Sequence, residues 1–360
     1  MSPDRLIFKR GMTTGIIRVT DMKWESDKAM EQLGGILEAE GTKLLVYHHD
    51  ADGTCAAAVM LKFYPKMKHM PLEGPRLSGG TVRDILSHDA DTIVFVDLPV
   101  DQEFEALMKI KKKSAVVVID HHIAERDLSR WGILHINPKL EKDVYLPASY
   151  MVYKIMDRLK KKPSDSKWIS CIGVYAYYAM KDCAAFLSSC SLSADEMKSG
   201  SELLSSAVTV KGLAGAAAAL KYLLAAEDYT DFSRNSQLKA WRAEVNNEFK
   251  DVMGKFDGGK ELYPESSLVV YEIKSRLNIT SAISNHLSEL LPNLVVMIKK
   301  KSGDEWKLSL RCQSGFVNLG EIVKKCTDGI GSGGGHPKAA GAITSDYEKF
   351  LSRLKTELKR

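Results

Sequence analysis

Apolar and polar positions follow two rhythms along this chain, and the change between them divides it. In the first half, short unbroken aliphatic runs at 44–47, 93–96 and 115–119 alternate with stretches of helical spacing at 26–40, 53–64, 81–88 and 102–111. A run with no polar alternation is the mark of a strand covered on both faces, and helices between such runs predict right-handed βαβ units around a mostly parallel sheet. A short extended stretch at 68–73 and a further strand at 132–136, ending at Asn137-Pro138, belong to the same sheet. Helices at 147–160 and 166–187 close it. From about 190 to 260 the spacing is helical, with Ser/Gly breaks near 189–205, which reads as a helical connector. The last hundred residues change style again. Strands are expected at 267–273, 293–298 and 306–311, the last two joined by a turn at Lys301-Ser302-Gly303-Asp304. Helices are expected at 279–291 and 318–325. A glycine-rich loop, a strand at 339–344 and a basic helix over 346–360 then end the chain.

Length supports this division, because 360 residues exceed one ordinary core. The expected boundaries are a first domain over 1–190, the connector over 191–262 and a second, smaller α/β domain over 263–360. Hydrophobic content of 44% and charged content of 27% describe a globular protein, and a net charge of +5 is compatible with a polyanionic ligand without requiring one. The cysteines (Cys55, Cys171, Cys183, Cys190, Cys312 and Cys326) form no CxxC pair and read as reduced thiols. The opening MSPDRLIFKRGM lacks the apolar core of a signal peptide, and the apolar stretch near 212–226 is interrupted by Lys221. The expectation is a cytoplasmic protein without a membrane segment.

The candidate chemistry sits where the first three strands end. His48-His49-Asp50-Ala51-Asp52-Gly53 follows one strand, Asp97 another and Asp120-His121-His122 a third. Ligands gather at the carboxyl ends of parallel strands, and hard oxygen with imidazole nitrogen suits divalent metal. Charged residues directly after five aliphatic ones are costly unless satisfied, and a cation would satisfy them. Together they supply ligands for a pair of ions that could polarise a phosphate for in-line attack. A donor set of His and carboxylate without Cys points to Mn²⁺ ahead of Mg²⁺ or Zn²⁺.

These motifs resemble the DHH phosphoesterase superfamily, in the subgroup with a DHHA1 C-terminal domain. That subgroup includes RecJ-like exonucleases, nanoRNases and archaeal RecJ-like proteins. His48-x-Asp50-x-Asp52-Gly53, Asp97 and Asp120-His121-His122 match its first three motifs. Gly333-Gly334-Gly335-His336-Pro337 with Ala339-Ala340-Gly341 matches the DHHA1 signature. The resemblance implies that His48, Asp50, Asp52, Asp97 and His121 are metal ligands, with Asp97 bridging. His122 would contact the scissile phosphate and Asp120 would orient the histidines. Arg311, Gly333, Gly334, Gly335 and His336 would grip nucleic acid, with the active site in the cleft between the domains. It implies a Mn²⁺-dependent exonuclease, with Mg²⁺ as the alternative ion, acting on single-stranded DNA or RNA or on short oligonucleotides in replication or repair.

One position departs from the family pattern. A fourth acidic ligand is expected on a helix after the third motif, and Tyr177 stands in its place. Asp182, five residues on, is the remaining acidic candidate. Loss of that ligand would weaken the second ion. It keeps open another reading, an inactive subunit in an archaeal replication-helicase complex with GINS-type partners.

Overall fold

The computed structural model describes Trp24 and residues 26–142 and 144–359. The opening segment read above for a secretion signal therefore lies outside the described residues. The described chain forms two compact units, one ending at Arg242 and the other starting at Ala243.

The first unit is built on a five-stranded sheet of β1 (Lys43–His48), β2 (Lys68–Leu72), β3 (Thr92–Val96), β4 (Ala115–Ile119) and β5 (Leu134–Ile136). Every pair is parallel, in the order β2-β1-β3-β4-β5. Alternate residues of each strand feed two cores. Leu45, Tyr47, Val94, Val96, Val117 and Ile119 face a cluster shared with helices α1 (Asp27–Glu38), α2 (Ala51–Phe63), α5 (Ala148–Arg158) and α6 (Lys167–Ala176). Leu44, Val46, Ile93, Phe95, Val116 and Val118 face the other, closed by α3 (Gly79–Ser87) and α4 (Phe104–Lys111). Burial on both faces is why the strands read as unbroken aliphatic runs.

Register then does the positioning. Tyr47 pairs with Val96, Val96 with Ile119 and Ile119 with Ile136. The next residue on each strand is His48, Asp97, Asp120 or Asn137, so these four form one row across adjacent strand ends. Amides of Asp97 and Asp120 extend the ladder by one bond each, to the carbonyls of Ile119 and Ile136. The chain leaves β1 for β2 on one side and returns to β3 on the other. His48 and Asp97 therefore flank the topological switch point, where open parallel sheets bind ligands.

The second unit carries a mixed sheet in the order β10-β11-β9-β8-β7-β6. Its strands are β6 (Lys260–Tyr263), β7 (Leu268–Glu272), β8 (Val295–Ser302), β9 (Glu305–Arg311), β10 (Gly331–His336) and β11 (Ala339–Thr344). Only β7 and β8 run parallel. Helices Leu319–Cys326 and Tyr347–Leu358 bury Val323, Phe350 and Leu354 against Leu308, Leu310, Ala340 and Ala342.

Three expectations need correction. The glycine-rich segment is strand β10, not a loop, and it pairs with β11 along its whole length. A Cβ at Gly331 would lie 2.0 Å from the Ile343 carbonyl oxygen and one at Gly333 2.7 Å from Val323 Cγ1, so glycine is what lets it pack. The helix expected over 166–187 stops at Ala176, because Tyr178 takes a left-handed φ of 59°. Ala179 N–H donates to the Val174 carbonyl and Tyr178 N–H to that of Tyr175, a Schellman closure with tyrosine where glycine is usual. Within 190–260, Ala194–Lys211 is one unbroken helix, opened by a Ser193/Glu196 capping box, and the stretch ends in strand β6.

Candidate functional site

The row at the strand ends becomes a cluster because the backbone turns sharply there. Asp97 has a φ of 62°, a left-handed conformation uncommon outside glycine, though aspartate takes it more readily than most residues. Such strain persists where surrounding structure enforces it, and it collects at functional sites. The Asp97 carboxylate is 2% exposed. Its Oδ1 lies 2.7 Å from His121 Nε2 and its Oδ2 3.4 Å from His48 Nδ1. His48 Nδ1 is also 3.2 Å from Asp50 Oδ2. Asp50 caps α2, its Oδ1 accepting from Gly53 N–H at 2.8 Å. Gly53 has no room for a side chain, since a Cβ would meet the His48 carbonyl oxygen at 2.3 Å and Asp97 Oδ2 at 2.9 Å.

Two sets of donor atoms result, each gathered within 4.8 Å: His48, Asp50 and Asp97, and Asp97, Asp120, His121 and His122. Asp97 belongs to both. Its Oδ2 and His48 Nδ1 are buried without a hydrogen-bond partner among the described residues. Buried polar atoms without a hydrogen bond are costly, and a cation between them would remove that cost. The donor set, nitrogen and oxygen without sulfur, fits a hard or borderline divalent ion.

The charges of the cluster shift one another's protonation. Burial disfavours charge on His48, but the Asp50 and Asp97 carboxylates outweigh it and raise its pKa to about 10. Burial likewise opposes, and Asp97 reverses, the shift of His121, which is raised to about 9. Burial alone would raise Asp97, yet its two histidine neighbours leave it well below the usual carboxylate range. A metal entering the cluster has to displace these protons.

Asp52 differs from its neighbours in the first motif. It is buried at the N-terminus of α5, where its Oδ2 accepts from Ala148 N–H at 2.7 Å and its Oδ1 from Ser149 N–H at 3.0 Å. Burial first, then the Asp97 charge, raise its pKa to about 7. Gly173 of α6 allows this approach, because a Cβ there would lie 3.0 Å from Asp52 Oδ1. Asp52 falls outside both donor sets, though each of its oxygens keeps a second lone pair.

His122 is the exposed member of the third motif, with 36% of its side chain open. Asp120 Oδ1 lies 2.8 Å from its Nδ1, and Asp120 Oδ2 accepts its backbone N–H at 3.1 Å. That pairing leaves Nε2 pointing away from the carboxylate. Asn137 holds the same residue from the other side, its Nδ2 donating to the His122 carbonyl at 2.9 Å. The sequence alone does not reveal a further positioning residue. Asp101, 1% exposed, accepts the amides of Glu125 at 2.6 Å and Arg126 at 3.0 Å and so fastens the loop after the histidines. Its only signal is an acid just after Pro99, which is too common to single out.

Tyr177, at the place expected for a fourth carboxylate, puts its ring edge-on to His121 with centroids 4.5 Å apart. Burial pushes its phenol up, so it stays neutral and brings no negative charge. Asp182 is exposed and in neither donor set.

In the second unit, Arg311, Gly333, Gly334 and Gly335 line a cleft of about 560 Å³, together with Lys307, Ser309 and Ser332. Period-2 alternation sends Leu308 and Leu310 to the core and Lys307, Ser309 and Arg311 to the opposite face. Arg311 Nε donates to Asn285 Oδ1 at 2.6 Å, which fixes the guanidinium. A Cβ on Gly334 would meet nothing within 4 Å, unlike its neighbours. Packing does not require glycine there, and its absence of side chain serves the open cleft. His336 is exposed at the end of β10 and is not among the residues lining this cleft.

Residues 43–179 match the model of the DHH family, N-terminal domain, and residues 266–360 that of the DHHA1 domain. No curated protein matches the chain. Among solved structures, a DHH-domain protein described as a member of a family of ribosomal proteins aligns with a TM-score of 0.75 and 16% identity, over 92% of this chain and 91% of that one. Exonuclease RecJ bound to manganese gives 0.67 and 16%, over 94% and 97%. CDC45 from Entamoeba histolytica gives 0.58 and 11%, over 92% and 99%. At these identities the likeness is one of fold.

Proposed function

The chain belongs to the DHH/DHHA1 superfamily, and from that membership and its paired donor sets we propose a divalent-metal-dependent phosphodiesterase acting on single-stranded DNA, RNA or short oligonucleotides. The observation that carries the reading is the shared Asp97, buried in a left-handed backbone conformation, whose Oδ2 faces His48 Nδ1 at 3.4 Å with neither atom hydrogen-bonded. His48, Asp50 and Asp97 would hold one ion, and Asp97 and His121 a second, to which the family resemblance adds Asp52 from outside the two donor sets. Bound there, a divalent ion such as Mn²⁺ supplies Lewis acidity toward a phosphate oxygen and a nucleophile at neutral pH. Asp120 fixes the ring of His122 through Nδ1, so that Nε2 meets the scissile phosphate and steadies the charge that develops. Lys307, Arg311 and the open backbone at Gly334 receive the phosphate chain, which makes binding tolerant of sequence and sensitive to salt.

The test is hydrolysis of end-labelled single strands and dinucleotides across a Mn²⁺ and Mg²⁺ titration. Release of mononucleotides, abolished by Asp97→Ala and His121→Ala, is the expected result. No hydrolysis at any metal concentration overturns the enzyme reading. Tyr177 favours a second reading, in which the missing carboxylate leaves a slow or silent enzyme serving as a scaffold for GINS-type replication proteins. Binding to such partners without hydrolysis would establish it.

A further inference from the structure

The residue that replaces the expected carboxylate is half of a stacked aromatic pair. Tyr145 lies on Tyr177 with centroids 4.8 Å apart and planes inclined by 26°, and Tyr177 in turn meets the His121 ring. Tyr145 O–H donates to the Tyr177 carbonyl at 3.0 Å, which locks the two together. One face of Tyr145 is therefore covered by Tyr177, yet the residue is 41% exposed. Much of the residue therefore stays within reach of a ligand despite the stack.

The surroundings point the same way. Ile123, next to His122, is 69% exposed, and Tyr178, next to Tyr177, is 72% exposed. Both adjoin cluster residues in sequence, so each offers an apolar side chain to a ligand that reaches the cluster. Tyr178 also carries the left-handed backbone that ends α6 and brings Tyr177 across His121. Backbone strain and exposed aromatics together describe a built feature, beyond what a solvated turn needs.

We propose that Tyr145 is the base-reading residue of this site: its outer ring face stacks a nucleobase of the substrate, one ring layer out from Tyr177 and two from His121. The inference rests on the phosphodiesterase reading and adds to it a recognition element that none of the four motifs contains. Stacking accepts any base, since each has a π face, so it selects nucleotides over other phosphoesters without choosing a sequence. Tyr177 acts here as a positioning residue. It holds Tyr145 at the height of a base while filling the space beside His121.

Binding of a labelled short single-stranded DNA, and of an abasic strand of equal length, separates this role from a structural one. Both are measured by anisotropy with Mn²⁺ in a His122→Ala background, in which turnover is slow on the time of the measurement. Tyr145→Ala is expected to weaken the base-bearing strand roughly 10- to 100-fold and to leave the abasic strand unchanged. Tyr145→Phe keeps the ring, loses the hydroxyl anchor and is expected to retain most of the base preference. Equal loss on both strands, equal loss with Phe and Ala, or no loss overturns the proposal. A protein that binds neither strand overturns the phosphodiesterase reading as well, whereas tight binding indifferent to bases leaves that reading standing and removes only the stacking role.

Discussion

Asp52 makes the electrostatic tension among the carboxylates of the cluster measurable. Its carboxyl is protonated in both folded and unfolded chains below about pH 4. As pH rises from 3.8, the unfolded chain ionises first, while the folded carboxyl holds its proton up to about 7. The folded state therefore loses stability across that window, and the loss is complete above it. At about 1.4 kcal/mol per pH unit, the ionised group costs on the order of 4 kcal/mol above pH 7. Asp52→Asn removes the charge and keeps one oxygen as acceptor, but turns its NH2 toward the second of the Ala148 and Ser149 amides and leaves that N–H unsatisfied, a cost of about 1–3 kcal/mol. The net gain is about 2 kcal/mol at pH 8 and close to zero at pH 5, or a rise in Tm of roughly 5 °C at the higher pH. Thermal melts of both proteins in EDTA at the two pH values provide the measurement. Added Mn²⁺ should reverse the order at pH 8, because a cation relieves the wild-type carboxylates and has less to bind in the variant. A variant less stable than wild type at pH 8 in EDTA, or equally shifted at both pH values, would refute the assignment of the cost to Asp52.

Three other outcomes follow from the geometry. His122→Ala should lower kcat by about 100- to 1,000-fold with Mn²⁺ affinity retained in calorimetry, since its Nδ1 is already taken by Asp120. Tyr177→Asp should restore a carboxylate beside His121, raising the Mn²⁺ stoichiometry toward two per chain; unchanged stoichiometry would show that the backbone there points the side chain elsewhere. Gly333→Ala should cost about 1–3 kcal/mol in denaturant unfolding through its clash with Val323, whereas Gly334→Ala should fold normally and bind oligonucleotide several-fold more weakly.

Much of the first unit is legible because each strand is buried on both faces, which writes itself as an unbroken aliphatic run. Once β1, β3 and β4 are read as parallel, His48, Asp97 and Asp120 have to share an edge. The sequence is less informative wherever a backbone conformation contradicts local preference. Nothing in the letters around Tyr178 announces a left-handed residue, so the helical spacing runs on past Ala176 and the stack on Tyr145 stays hidden. The glycines of β10 illustrate the opposite error. Glycine signals a loop by propensity, but tight packing against Val323 and the carbonyls of Ile343 and Ala339 makes a strand of it. Asp52 looks like one more acid in a motif, and only the placement of α5 reveals its second task as a helix cap.

The row of His48, Asp97, Asp120 and Asn137 is set by backbone ladders rather than by loops. Its spacing is thus inherited from the ladder of the parallel sheet, and little of it waits for a ligand to be ordered. Conformational entropy that a loop-built site would surrender on binding has been given up here at folding. The cluster is preorganised: what a cation must overcome is protons, not disorder.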